Sequence, residues 1–212
     1  MRNKNFRDGR VENVIFDLDG TLTQFNLPFD RIREVLEIRE RFVLESILKS
    51  PLEERKRKFE ILKKFEIESA KNSKLNEGVK ELMVFLDNSG IKKGIVTRNC
   101  RESAEIFAEK FKRKFRIEFD YIISRESTLP KPSPLPMILA LVKSKSTPDT
   151  SITVGDFKFD LISGKLAGIR TVLLETEKNK DIIHEFYDLS DIRIKNLREL
   201  IPYIKSANSE KK

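Results

Sequence analysis

The sequence predicts an α/β fold: a parallel sheet flanked by helices, with a small helical cap inserted after the first strand. Three observations predict it. Short apolar runs alternate with longer stretches of helical periodicity, the pattern of repeated strand–helix–strand units. Chemistry-bearing polar residues stand just after those apolar runs. One interval between successive strands is far too long for a single crossover.

Strands are expected near 11–16, 91–97, 121–124, 151–155 and 170–174, with helices at 77–88, 101–114, 133–143 and 157–167 between them. Such alternation reads as a Rossmann-like sheet with both faces covered. A short last strand near 191–194 and a helix over 196–204 complete the pattern, and the tail, 206–212, is expected to fray.

The long interval lies between the first two strands. Asp17 and Thr97, at their ends, are 80 residues apart, whereas a minimal strand–helix–strand unit needs only ~30. The surplus is helical in pattern. Ile32, Val35, Leu36, Phe42, Val43 and Ile47 form one apolar stripe, widened by Ile38, Leu44 and Leu48. Pro51 fits the first turn of a second helix, in which Phe59, Ile61, Leu62 and Phe65 are the inward candidates. Two antiparallel helices forming a cap over the carboxyl end of the sheet are therefore expected. The division this implies is an α/β core of 1–23 and 76–212 and a helical cap of 24–75.

The first strand ends in Val14-Ile15-Phe16-Asp17-Leu18-Asp19-Gly20-Thr21-Leu22. Alternation along a strand starts Asp17 and Asp19 on one side. Two like charges that close repel, so they call for a cation or a reaction that uses them. Gly20 allows a sharp turn directly after them. Three further sites follow predicted strands: Thr97 in Ile95-Val96-Thr97-Arg98-Asn99, Lys131 in Leu129-Pro130-Lys131-Pro132, and Asp156 with Asp160 in Gly155-Asp156-Phe157-Lys158-Phe159-Asp160. Ligands of open parallel sheets bind at the carboxyl ends of the strands, so these groups can converge. Several carboxylates suit Mg²⁺, while a Thr hydroxyl and a Lys ammonium suit phosphate oxygens. Covalent aspartyl-phosphate chemistry splits a difficult displacement into two easier ones.

Composition narrows the remaining classes. At 212 residues, with 39% apolar and 36% charged residues, the chain can bury a full core and keep a charged surface. No apolar stretch approaches the ~18 residues of a membrane helix, and the first ten residues lack a signal-peptide centre. A single cysteine, Cys100, excludes an internal disulfide framework. A cytoplasmic protein without a membrane partner is the expectation. The net charge of +8 is read as solvated helix faces rather than a nucleic-acid surface, since in 110–116 Phe111 and Phe115 share a face opposite the charges. A positive field also attracts anionic substrates, and Arg31, Arg33, Arg39 and Arg41 of the cap are candidates to read one.

In the order Asp17-x-Asp19-Gly20-Thr21, Thr97, Lys131-Pro132 and Gly155-Asp156-x-x-x-Asp160, the chain resembles the haloacid-dehalogenase superfamily, and the helical insert after the first strand resembles the cap of its phosphoglycolate-phosphatase-like branch. The likeness extends through Ala167-Gly168-Ile169-Arg170-Thr171-Val172. It implies a Mg²⁺-dependent phosphatase acting on a small phosphorylated metabolite. Asp17 would be nucleophile and metal ligand, and Asp19 the general acid/base that lends its backbone carbonyl to the metal. Thr97, Lys131 and the Arg98 N–H would bind the phosphoryl group; Asp156 would ligate Mg²⁺, with Asp160 behind it. Phe157 departs from the small or hydroxyl residue often found there, and the cap, at about 50 residues, is smaller than the usual four-helix version. A phosphomutase of the same superfamily and a non-enzymatic interaction module are the alternatives.

Overall fold

The computed structural model describes residues 10–209. Strands β1 (Asn13–Phe16), β2 (Lys92–Val96), β3 (Tyr121–Ile123), β4 (Ser151–Gly155), β5 (Arg170–Leu174) and β6 (Ile192–Ile194) form one sheet in the order β3-β2-β1-β4-β5-β6. Every neighbouring pair is parallel, as the sequence pattern requires. After β1 the chain moves outward through β2 and β3, then returns to β4 on the other side of β1. The switch point between β1 and β4 is where such sheets bind ligands.

Alternation along the strands divides the core into two layers. Val14, Phe16, Ile95, Ile152, Val154 and Val172 face α4 (Val79–Asn88), α5 (Arg101–Phe115) and α8 (Leu200–Ser209), burying Leu82, Met83, Phe107, Phe111 and Ile204 among others. Their strand neighbours Ile15, Val96 and Ile123 face α6 (Leu135–Ser144), whose Met137 and Ala140 are buried. Leu173 packs on the same side with Leu161 of α7 (Lys158–Leu166) and with Ile183 and Phe186 of a 3₁₀ segment. All four residues of β1 are buried, so the strand that carries Asp17 at its end is held from both faces.

The insert after β1 contains three helices, α1 (Phe29–Leu36), α2 (Val43–Lys49) and α3 (Leu52–Asn72), and not the two expected. Helix α1 stops because Glu37 turns left-handed (φ 55°) and sends its N–H back to the carbonyls of Arg33 and Glu34. Nothing in Glu37-Ile38-Arg39 breaks a helix by propensity; burial of Ile38 with Ile32, Leu36, Val43, Ile47 and Leu62 decides it. The chain needs the turn to bring α2 back onto that cluster. Pro51 stands just before α3 rather than within its first turn. The expected inward residues of α3 do face the cluster, with Phe59, Ile61 and Phe65 packed against it. The outgoing and returning segments run side by side, with Thr23 bridged to Leu75 and Gln24 N–H on the Lys74 carbonyl at 2.8 Å.

The C-terminal end also differs from expectation. A 3₁₀ turn (Leu197–Glu199) leads into α8, which continues to Ser209 rather than fraying from 206. Ala207 is buried, and the Asn208 carboxamide brackets the Val11 backbone, accepting from its N–H at 2.7 Å and donating to its carbonyl at 3.2 Å. The last three residues of the expected frayed tail lie outside the described residues. Among the described residues, no helix is long and apolar enough to cross a membrane.

Candidate active site

Asp17 follows β1 directly, with its N–H on the Val154 carbonyl of β4 at 3.0 Å. Lys131, on the loop after β3, is the centre of the polar cluster. Its ammonium is buried and donates to Asp17 Oδ1 at 2.6 Å, to the Val96 carbonyl at 2.6 Å, and to Asp160 Oδ1. Burial opposes the Lys131 charge, yet the Asp160 and Asp17 carboxylates outweigh it and hold the amine above its ordinary pKa. Asp160 lies in the first turn of α7 against Gly155. A Cβ on that glycine would fall 2.3 Å from the Asp160 Cβ, so only glycine lets α7 bring the carboxylate this close to the strand. Thr21 donates to Asp156 Oδ1 at 3.3 Å. Gly20, at φ +91°, leaves the space Asp156 fills, since a Cβ there would lie 2.1 Å from Asp156 Oδ2.

Asp17, Asp156 and Asp160 each place a carboxylate oxygen within 4.8 Å of the others. Burial, joined by the Asp17 and Asp160 charges, pushes the Asp156 carboxyl well above the usual carboxylate range. Burial raises Asp160 as well, against the pull of Lys131. One ammonium faces three carboxylates, so the ionised cluster carries a net negative charge that a hard divalent cation would offset. The donor set, all oxygen and all acidic, fits such an ion.

Asp19 stands outside that cluster. Asn99 Nδ2 donates to its Oδ2, and the Thr23 hydroxyl lies 3.4 Å from its Oδ1. Burial, with the nearby Asp17 charge adding to it, pushes the Asp19 carboxyl up to about 7. Thr97 follows β2 directly, its hydroxyl accepting from the Asn99 N–H at 3.1 Å. The Arg98 side chain turns toward the insert: it holds both Glu45 oxygens, at 2.6 and 2.8 Å, donates to the Lys131 carbonyl, and stacks 4.6 Å over Phe159. The structure thus brings Asp17, Lys131, Asp156 and Asp160 into one cluster, with Asp19 and Thr97 joined through Asn99 beside it.

Sequence reasoning missed the polar groups that hold these loops. Asn76 Nδ2 donates to the carbonyls of Gly20, Thr21 and Thr23 at 2.7, 2.9 and 3.0 Å, fixing the turn after Asp19. Asn179 Nδ2 does the same for the carbonyls of Asp156 (2.8 Å) and Leu174 (2.9 Å). Glu66 of α3 is buried, pairs with Arg125, and accepts from the Cys100 N–H at 3.0 Å. The available sequence signal for Glu66 is its spacing, an acid four residues after Leu62 on the inward stripe of the helix. The departure at Phe157 has a tertiary reason: its ring packs against Phe159 (5.0 Å), Phe186 (5.4 Å) and, from the insert, Phe42 (6.4 Å). Arg31 and Arg33 pair with Glu34 and Asp30 of their own helix. Cys100 caps α5 by accepting from Ser103 N–H, and burial raises its thiol pKa, while His184 is exposed.

Comparison with known proteins agrees with this layout. The sequence profile of the haloacid dehalogenase-like hydrolases matches residues 14–174, from β1 through β5. An uncharacterized hydrolase of Saccharomyces cerevisiae is 32% identical over 207 residues, covering 94% of each chain. Pyrophosphatase PpaX of Bacillus cereus is 26% identical over 94% of this chain and 99% of its own. Among solved structures, CbbY from Rhodobacter sphaeroides in complex with phosphate superposes with a TM-score of 0.66 at 20% identity, over 90% of this chain and 96% of that one. A profile spanning three quarters of the sequence, and a relative alike along nearly its whole length, place the chain: it belongs to the haloacid dehalogenase-like hydrolases.

Proposed function

We propose that the protein is a Mg²⁺-dependent phosphatase that hydrolyses a small phosphomonoester through an aspartyl-phosphate on Asp17, in the manner of the phosphoglycolate-phosphatase-like branch. One observation carries this reading. A single buried ammonium, Lys131, joins Asp17 to Asp160 at the switch point of the sheet, beside the Thr97–Asn99 loop. Lys131 holds one oxygen of Asp17, which leaves the other to attack phosphorus. The Lys131 ammonium, the Thr97 hydroxyl and the Arg98 N–H are the donors for the phosphoryl oxygens. As the P–O bond to the leaving group breaks, Asp19 gives that oxygen its proton. Asp19 then takes a proton from the water that attacks the aspartyl-phosphate, restoring Asp17 and releasing phosphate. Mg²⁺, held by Asp17, Asp156 and the Asp19 carbonyl with Asp160 behind, would neutralise charge on the transferred group. The insert, taken as a cap over 24–75 on a core of 1–23 and 76–212, meets the core beside the site through Glu45–Arg98 and Phe42, and these contacts are the proposed place where the leaving group is read.

The names of the relatives support a phosphate-handling site and set the scope of the test, a panel of phosphate esters together with inorganic pyrophosphate. With Mg²⁺, the protein should release phosphate from at least one of these. Asp17→Asn should abolish turnover, and Asp19→Asn should slow it by ~10²–10⁴-fold, the usual share of acid–base catalysis. Full activity in Asp17→Asn would refute the reading. A product with the phosphoryl group moved to a second hydroxyl would replace hydrolase by mutase.

A further inference from the structure

We infer that Asn99 is a positioning residue for Asp19: its carboxamide holds one oxygen of the Asp19 carboxyl and fixes the orientation of that side chain. The inference rests on the proposed role of Asp19 and adds a residue to it. Asn99 Nδ2 donates to Asp19 Oδ2, and an amide NH₂ can only donate. Its best partner is therefore an unprotonated carboxyl oxygen, whether Asp19 is charged or neutral. That bond pins Oδ2 and, with it, the plane of the carboxyl. Oδ1 faces the Thr23 hydroxyl at 3.4 Å, and this group tolerates either state, since it has the Leu18 carbonyl at 3.2 Å as an alternative acceptor.

Asn99 is itself held on both sides. Its N–H donates to the Thr97 hydroxyl, and its carbonyl accepts from the Arg125 N–H at 3.1 Å. The Arg125 guanidinium pairs with buried Glu66 and lies 5.2 Å over Phe59, so helix α3 braces the same loop. The side chain is buried, and its amide reaches across 80 residues of sequence to Asp19. In the proposed reaction, the Asp19 proton passes to the leaving oxygen as the P–O bond breaks, and a proton from water replaces it. A carboxyl free to rotate would present the proton-bearing oxygen only part of the time.

The test compares two aryl esters of similar shape, phenyl phosphate and p-nitrophenyl phosphate, in the full-length protein with Mg²⁺. The poorer leaving group, phenol, depends more on the proton. Asn99→Ala should lower kcat/KM on phenyl phosphate, which reports the step that expels the leaving group, by about tenfold to a hundredfold, a part of the full acid–base contribution. It should change kcat/KM on p-nitrophenyl phosphate only a few-fold, while kcat on that ester, limited by the shared hydrolysis of the aspartyl-phosphate, also falls. In an Asp19→Asn background, adding Asn99→Ala should cost nothing further. Asn99→Leu keeps a similar size without the donor or a new charge and gives the same comparison if the alanine variant is unstable. Equal losses of kcat/KM on both esters, or losses that multiply with Asp19→Asn, would overturn the inference and leave the phosphatase reading standing. A wild-type protein that turns over no phosphate ester would remove that reading, and this inference with it.

Discussion

Replacing Lys131 by Met should destabilise the protein by several kcal/mol while leaving its packing nearly unchanged. Met has similar length and volume but no charge, so it removes the ammonium with little loss of buried contact. The ammonium meets Asp17 Oδ1 and the Val96 carbonyl at 2.6 Å each, and Asp160 Oδ1 as well. Lys131 and Asp160 are buried, and the Asp17 side chain is only 13% exposed, so water cannot replace what is lost. Removing one partner of a buried ion pair typically costs about 3–5 kcal/mol, because the orphaned charge stays buried. At roughly 2–4 °C per kcal/mol for a chain of this size, the melting temperature should fall by about 6–20 °C. Urea denaturation in the presence of a chelator measures this without help from a cation. The double variant Lys131→Met/Asp160→Asn should recover part of the loss, since it neutralises one orphaned carboxylate. If Lys131→Met matched the wild type within ~0.5 kcal/mol, the size of an ordinary surface substitution, the cluster would not be held as described.

Four further outcomes follow from the same geometry. Gly20→Ala should cost at least ~1 kcal/mol and depress turnover, because φ is +91° and the new Cβ would displace the Asp156 carboxylate; wild-type kinetics in that variant would contradict the close packing. Burial raises the Glu66 pKa despite Arg125, so the contribution of Glu66 is full below the ordinary carboxylate pKa and is lost as pH climbs through its folded value. The stability of wild type relative to Glu66→Gln, followed by denaturation across pH, should accordingly decline upward from pH ~4.5, and a rising difference would reverse the sign. Phe42→Ala removes the insert's ring from Phe159 (5.2 Å) and Phe157, and should raise KM for the ester more than it lowers kcat. Removing divalent cations should abolish phosphate release, and Mg²⁺ should restore it; turnover indifferent to a chelator would exclude a metal-binding role for the three-aspartate cluster.

The parallel sheet was legible because strand alternation and apolar helical spacing are local signals. Val14 and Phe16 share a face, and Ile15 takes the other, as any four-residue strand demands. The positions of Asp17, Lys131, Asp156 and Asp160 followed from one rule, that chemistry gathers at the carboxyl ends of parallel strands. What the sequence concealed is long-range. Asn76 serves carbonyls 53–56 residues away, and Asn99 serves a carboxylate 80 residues away. A lone asparagine in a loop has no periodicity that reveals such a partner. The break after α1 was hidden for a related reason. Glu37 is an ordinary helix residue, and only the burial of Ile38 turns the chain there.

The central claim is that Asp17 accepts the phosphoryl group. The most direct measurement is to quench the protein in acid during turnover of its best ester, digest it at low pH, and locate phosphoryl adducts by mass spectrometry. The account predicts an adduct on the peptide containing Asp17, absent in Asp17→Asn and accumulating in Asp19→Asn when p-nitrophenyl phosphate, which needs no proton to leave, loads the enzyme. Steady phosphate release with no adduct on that peptide, or an adduct on another residue, would contradict it.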